Sequence, residues 1–538
     1  MVVTPQKTIR DIDTEESDVE NAVRHAGFGK FNIKIAIIGG LIYMNTGLSI
    51  GSVSFILPSA ACDLQLSTLD KGRISASPIL GMVAGSYFWG CFADVQGRRL
   101  ALLYALFLYG IIEITSSVVT TYWLFLLLKF LSGWVINGQS AIGFIYLGEF
   151  QSNLHREKIL SWMEMAWTIG LIVVPLIGWA IIPLEFSYVT DKFSFRSWNL
   201  FIIVCALPSF LVGLWLLTFP ETPKYLAETK QDEKFVEALE IMHSQNTGGN
   251  FDEYLESLCK NGHDRLRARL TLAKRTIEKI VTSNNVNKSD PPISNAQLFL
   301  QMMRTIITQS IKLMKPPHRR NTFTACVIMY CIGSSYYALM LWFPEVFQRF
   351  ATFEKIRPED TASVCTISSS NWTMNFESNA SATVCPSTVQ SFVYLQTLIL
   401  GLSCLPVSIV LPLTIHKLGY NFYLMISTTI AAMVTVGFFF VRSSTENLVL
   451  SCIFEAFSSV CMSTMLCIVV DLFPTDLRAM AAALSMFSTR LGALIGNTLF
   501  GYLIDDYCIP LIAVITVQLA VSAVLSFTVP GRKKLWCR

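Results

Sequence analysis

Twelve apolar runs, parted by short polar links, set the rhythm of the chain. They cover residues 34–58, 74–93, 100–121, 123–147, 160–183, 198–219, 322–344, 389–415, 420–441, 447–472, 479–503 and 509–529. Most reach the length of about 20 residues that an α-helix needs to cross hydrocarbon. Lipid offers no partner to a backbone N–H or C=O, so runs of this kind predict helices; a barrel would show short alternating segments instead. The expected fold class is all-α, a polytopic membrane protein. The rhythm breaks once, where acids and bases mix between the sixth and seventh runs. That break divides the chain into a tail (1–33), a six-helix bundle (34–219), a linker (220–320), a second six-helix bundle (321–530) with an outer loop at 345–388, and a tail (531–538). Within the linker, "NAQLFLQMMRTIITQSIKLM" predicts a surface helix along the inner leaflet.

Composition sharpens this reading. The 538 residues are 52% hydrophobic and only 15% charged, with a mean hydropathy of +0.50, too little charge to wet the surface of a soluble protein of this size. A net charge of +3 is too small to argue for nucleic acid. The acidic opening "DIDTEESDVENA" lacks the apolar core and small-residue site of a signal peptide, so the first run is expected to act as its own insertion signal. Arg98, Arg99, Arg156, Lys158, Lys315, Arg319, Arg320, Arg478, Arg532, Lys533 and Lys534 fall on one side, which the bias of Lys and Arg toward the cell interior predicts to be cytoplasmic, with both termini. Lys71, Arg73, Lys192, Arg196, Arg349 and Arg357 break the bias. The loop at 345–388 carries glycan acceptor patterns at Asn371 ("NWT") and Asn379 ("NAS"). Cys365 and Cys385 bracket them and are expected to pair, since glycans and disulfides both belong outside the cytosol.

The two halves repeat. Asp94 and Gly97 sit in the link "ADVQGRR"; His416 and Gly419 stand 322 positions later. Glu149 and Arg156, in "EFQSNLHR", recur at the same offset as Asp471 and Arg478, in "DLFPTDLR". Such a register is what two duplicated bundles leave behind. Short charged links on one face of both halves can meet where the halves touch, so Asp94, Gly97, Arg98, Arg99, Glu149 and Arg156, echoed by Asp471 and Arg478, are read as a cytoplasmic gate of separable ion pairs. The plainer reading is that these basic residues merely fix topology.

Here the sequence resembles a known family. "GCFADVQGRR", "PETPKYL" at 220–226 and "DLFPTDLR" are similar to signatures of the major facilitator superfamily. "FILPSA", "LSTLDKGRISA", "FSFRSWNLFIIVCALPS" and "YYALMLWFPEV" resemble the synaptic vesicle glycoprotein 2 group, near the organic ion transporters. The resemblance implies twelve helices in two bundles and alternating access around a central cavity lined chiefly by helices 1, 4, 7 and 10. It also marks departures. Where members of the vesicle group carry acids in helix 1, this chain has Thr46 and Ser49, and the second-half link reads "HKLGYN", without the acid and the arginines.

Charges inside the bilayer cost a few kcal/mol each and call for a partner or a cavity. Lys129 and Glu455 occupy similar depths in helices 4 and 10; they are read as cavity-facing, drawn to each other or to a solute, with snorkelling to the interface as the other reading. Arg490, in the middle of helix 11, is the foremost candidate for an anion contact or coupling charge, against a structural pair with Glu455. Glu164, near Trp167 on helix 5, is a candidate to read a cation or carry a proton, against a salt bridge at the helix end. Glu113 is read as structural. Asn45, Thr46, Ser49, Asn137, Gln139 and Asn497 can bond a solute or a neighbouring helix; Tyr336 and Tyr337 can stack on a ring or cation or simply pack.

No phosphate-cradling loop, zinc spacing or grouped nucleophile and base is legible, so neither a cofactor, a metal nor an enzyme activity is expected. The sequence reads as a monomeric secondary transporter of a small organic solute, an organic ion or sugar-like molecule. It is expected in a plasma or vesicle membrane with the lipid bilayer around it, and with a proton or sodium as the coupling ion. The alternative is a protein of the vesicle glycoprotein type that keeps the fold and serves as a receptor or trafficking partner.

Overall fold

In the computed structural model, residues 18–282, 307–357, 361–369 and 390–529 are described, apart from positions 62, 185, 191–192, 261–262, 309 and 474. Twelve long apolar helices follow the twelve predicted runs: α1 (Lys30–Ser59), α2 (Thr68–Gln96), α3 (Arg98–Ser117), α4 (Tyr122–Glu149), α5 (Met163–Ile181), α6 (Ser197–Leu216), α7 (Arg319–Ile356), α8 (Ser391–Leu418), α9 (Tyr420–Gly437), α10 (Ser444–Leu472), α11 (Thr475–Leu503) and α12 (Cys508–Ser526). Ten of them are long and apolar enough to cross a membrane; α2 and α11 are the two that fall short. The reason is their place. They run along each other between the halves, and a helix that packs on protein along its length needs fewer apolar residues.

The halves join along three seams, α2 on α11, α5 on α8 and α1 on α7. Close approach depends on residues without a side chain. A Cβ on Gly72 would lie 2.8 Å from Cα of Gly501. Within the first half, a Cβ on Gly133 of α4 would collide with the carbonyl oxygen of Pro78 on α2. The α2–α3 and α8–α9 junctions are single glycines, Gly97 with φ +103° and Gly419 with φ +84°. These are the two positions that the 322-residue offset relates, and both use a conformation that costs an L side chain about 1–2 kcal/mol.

Two stretches depart from expectation. α7 runs on twelve residues past the predicted end at 344, through Pro344, to Ile356. At 1.5 Å per residue it is about 57 Å long, well beyond the hydrocarbon core. The first twelve residues of the loop assigned to 345–388 are therefore helix. Beyond it Cys365 pairs with Cys508 at the head of α12, 5.4 Å away between Cα atoms. The expected Cys365–Cys385 bridge is thus corrected: the extended α7 returns Cys365 to α12. Cys385, Asn371 and Asn379 lie outside the described residues, as does most of the predicted surface helix in the linker. A small antiparallel hairpin, β1 (Ser187–Thr190) with β2 (Phe193–Arg196), links α5 to α6.

The linker is not an extended tether. Helices Pro223–Glu228, Asp232–Thr247, Phe251–Lys260 and Asp264–Thr282 pack beside the first half. Asn246 fixes the contact: its Oδ1 accepts from Phe31 N at 3.0 Å, and its Nδ2 donates to Gly27 O at 3.0 Å and Asn32 Oδ1 at 2.7 Å. Asn32 in turn donates to Phe150 O at the end of α4, 3.0 Å away.

Replacing Gly133 by Leu should drive α2 and α4 apart and cost about 1–3 kcal/mol, because a backbone carbonyl cannot step aside. Gly90→Leu, at a site where a Cβ meets nothing within 4 Å, is the control. Thermal unfolding of the purified variants in detergent should show a lowered midpoint for the first and a nearly unchanged one for the second.

Candidate functional site

Three charged layers stack along the molecule. The first is on the face of the α2–α3 junction. Arg98 Nη2 meets Asp94 at 3.1 Å, its Nε lies 3.4 Å from Glu149, and Nη2 stands 3.9 Å from Glu228. Its guanidinium also lies over the Tyr225 ring at 5.2 Å. Arg99 offers its backbone N–H to both oxygens of Glu221, 2.9 and 3.1 Å, and its Nη2 to Leu217 O at 2.6 Å. Burial pushes the Glu221 carboxyl above the ordinary carboxylate range, against the pull of the N–H groups of Arg99 and Thr222 and the charge of Arg98. Gly97 is required here for space as well as for φ, since a Cβ would strike that carboxylate.

This layer brings together Asp94, Arg98, Arg99 and Glu149 of the expected gate. Its described ion pairs reach the segment after α6 through Glu228, with Glu221 accepting from the Arg99 backbone, and stay within the first half and linker. Arg156 stands apart, donating to Gly148 O at 2.9 Å and Asn153 Oδ1 at 2.6 Å and pairing with Glu20 at 3.1 Å. In the second half the side chain of Asp471 lies outside the description, and the Nε of Arg478 has no hydrogen-bond partner among the described residues. "PETPKYL" was the legible signal for Glu221 and Tyr225, but the sequence gives no sign that it folds back under Arg98.

The second layer is at mid-depth, between the halves. Tyr43 of α1 packs on Trp167 of α5, ring centroids 5.7 Å apart, and on Phe144 of α4 at 6.0 Å. Opposite, Tyr336 and Tyr337 of α7 lie 5.1 Å apart. Arg490 of α11 donates to Ser86 Oγ of α2 at 3.1 Å and is within electrostatic reach of the Tyr43 and Tyr337 hydroxyls. Glu164 of α5 meets the hydroxyl of Ser463 on α10, and Glu455 of α10 meets that of Tyr336. Tyr337 is within reach of all three charges. No ion pair holds Glu164, Glu455 or Arg490 among the described residues. Glu164, Arg490, Tyr43 and Tyr337 are half-buried although protein surrounds them, which marks a chamber that water reaches.

Several expected members lie elsewhere. Lys129 is not a partner of Glu455: it pairs with Glu113 at 2.6 Å, both buried, within the first half. Two adjacent helices each hold one charge of this pair, so neither need face the chamber. Asn45 donates to Gln139 Oε1 at 2.8 Å, and Gln139 donates to Ala105 O at 3.1 Å, knotting α1, α3 and α4 together. Thr46 donates to Ile42 O, Ser49 to Asn45 O and Asn497 to Ala493 O, each within its own helix. Asn137 is buried with its Oδ1 unpartnered among the described residues. Among the described residues no cluster of metal-binding side chains occurs.

The third layer was not foreseen. On the opposite face Glu345 of the extended α7 accepts from Lys71 of α2 at 2.7 Å and from Arg349 at 3.3 Å. Arg349 also pairs with Asp505 at 2.9 Å and reaches Thr68 Oγ1 at 3.5 Å. Lys71–Glu345 and Arg349–Thr68 cross between the halves, while Arg349–Asp505 braces the cluster within the second half. Their signal was present in Lys71 and Arg349, two of the six basic residues that broke the charge bias. Near them Phe55 of α1 stacks on Tyr394 of α8, 5.6 Å apart. The molecule is therefore latched shut on the Arg349 face, while the described ion pairs on the Arg98 face leave the halves unjoined.

The family model of the Major Facilitator Superfamily matches residues 37–497. Synaptic vesicle glycoprotein 2C of Rattus norvegicus is 31% identical over 360 residues, 64% of this chain and 47% of that protein. Synaptic vesicle glycoprotein 2A of Rattus norvegicus is 32% identical over 343 residues, 62% and 44% respectively. The match thus spans about half the length of these curated relatives. Among solved structures, the partially occluded inward-open conformation of the xylose transporter XylE from E. coli superposes with a TM-score of 0.61 at 15% identity, over 93% of this chain and 98% of that one. Its inward-open conformation gives 0.60 at 16% identity, over 93% and 97%.

Replacing Lys71 or Arg349 by Gln should shift the molecule toward opening on the Arg349 face. The pairs are partly exposed, so each should be worth about 1.4 kcal/mol, roughly a tenfold change in the open-to-closed ratio. Spin labels at the exposed positions Leu69 and Tyr507, in a background lacking the exposed Cys259, should report a growing long-distance population by double electron–electron resonance.

Proposed function

The chain belongs to the major facilitator superfamily, and from that premise we propose that it is a secondary transporter that carries a small organic solute by alternating access. The observation that supports this most directly is the contrast between its two faces. Lys71, Glu345, Arg349 and Asp505 tie the halves together on one side, whereas the Arg98 network belongs to one half alone. Between them sits a chamber of charged and aromatic side chains drawn from both halves. A pair of bundles latched at one end and free at the other can exchange which end is shut, and a solute held between them is then exposed to each side in turn.

In this reading the Arg98 face is cytoplasmic, both termini lie there, and the working unit is a monomer in a plasma or vesicle membrane. Asp94, Arg98, Arg99 and Glu149, with Glu221 and Glu228, hold the first half and the linker in one piece, so that the bundle tilts as a rigid body. Glu164, Glu455, Arg490, Trp167, Tyr336 and Tyr337 contact the solute or the coupling ion, a proton or sodium. The similarity to the synaptic vesicle glycoproteins favours one other outcome, a protein that keeps the fold but acts as a receptor or trafficking partner.

Proteoliposomes holding the purified chain decide between them. A transporter should show saturable uptake of a screened solute that depends on an imposed proton or sodium gradient. Arg98→Gln should lower that uptake at least tenfold, since it removes the shared partner of three carboxylates, while membrane insertion stays intact. Normal uptake by this variant would sink the role given to the Arg98 network. A screen with no flux in any gradient, and labels that never change distance on either face, would leave the receptor reading.

A further inference from the structure

The three mid-depth charges do more than mark a chamber; their sum limits what can fill it. When ionised, Glu164 and Glu455 carry two negative charges and Arg490 one positive. None is in an ion pair among the described residues. Once a solute displaces the water and the halves enclose it, an unanswered charge is costly, so the bound state should answer each one. A neutral solute leaves all three without a counter-charge. A simple cation answers an acid but is repelled by Arg490; a simple anion answers Arg490 but faces two acids. A zwitterion answers Glu164 with its cationic end and Arg490 with its anionic end, and leaves Glu455 for the coupling cation. That combination gives each of the three charges its own counter-charge.

The surroundings fit each end. Arg490 presents a planar fork of donors suited to a carboxylate or similar oxyanion, and the Tyr43 and Tyr337 hydroxyls lie within its reach. The cationic end meets Glu164 beside the faces of Tyr43 and Trp167, where an ammonium is also held by ring quadrupoles. Two of the amides that would read sugar hydroxyls, Asn45 and Gln139, bond to each other inside the first half. The two ends also lie on different halves, Glu164 on α5 and Arg490 on α11. Such a solute draws the bundles together as it binds.

Resting on the transporter reading above, we propose that the solute is a zwitterion, a small molecule with one ammonium and one carboxylate, held by Glu164 on one half and Arg490 on the other.

Counterflow into proteoliposomes of the full chain tests this with named probes. Glycine betaine and 5-aminovalerate are zwitterions of short and long charge separation. Choline, butyrate and xylose supply the cation alone, the anion alone and a neutral polyol. At least one zwitterion should be exchanged about tenfold or more faster than each of the other three. Arg490→Gln should abolish that preference and raise choline relative to the zwitterion, and Glu164→Gln should raise butyrate instead. If xylose or choline is exchanged as well as either zwitterion, the assignment fails while transport stands. If the variants leave the ratios unchanged, it fails as well. If none of the five probes is exchanged, the zwitterion is overturned; the transporter reading then rests on whether the spin-label distances still alternate.

Discussion

A charge removed from water must be answered by another, and this rule arranges nearly everything in the molecule. Lys129 and Glu113 obey it inside the first half, where each is the other's only affordable neighbour in lipid. The Arg98 network obeys it at one face and the Lys71–Glu345–Arg349–Asp505 cluster at the other. Glu164, Glu455 and Arg490 are the exceptions. They are also the charges placed where the halves meet, at a level that water reaches. Structural charges come in completed sets; the incomplete set is where something is meant to enter.

Much of the architecture was legible because its physics is local. The need to satisfy backbone groups in lipid fixes helices wherever about 20 apolar residues run together. The offset between Gly97 and Gly419 survived because both junctions demand a residue free to take positive φ. What stayed hidden depends on distant contacts. Nothing near Cys365 says that α7 runs on past Pro344 and returns it to Cys508. Nothing near Lys129 tells Glu113 from Glu455, since both are acids at matching depth. The amides of Asn45 and Gln139 read as solute ligands until the helices around them are assembled. The latch was readable only as an anomaly, basic residues on the side where the charge bias does not want them. Arg490, Glu164 and the Tyr336–Tyr337 pair were found because ionisable and aromatic groups in an apolar run have few structural excuses.

The linker changes how the halves can move. Asn246 holds the start of α1, Asn32 ties that start to the end of α4, and Glu221 reaches back to Arg99. The linker helices are thereby fastened to the first half. The exit of α6 and the linker helices up to Thr282 therefore move with the first half.

The length of α7 gives this motion a gear ratio. Tyr337 stands in the chamber and Arg349 in the latch, on one continuous helix. Twelve residues at 1.5 Å put them about 18 Å apart, so a tilt of about 5° pivoting at Tyr337 sweeps Arg349 through about 1.6 Å. That displacement is enough to part the Arg349 guanidinium from Thr68 Oγ1 across the halves, 3.5 Å away. A rearrangement at the solute too slight to disturb the aromatic packing is thereby magnified into release at the far end.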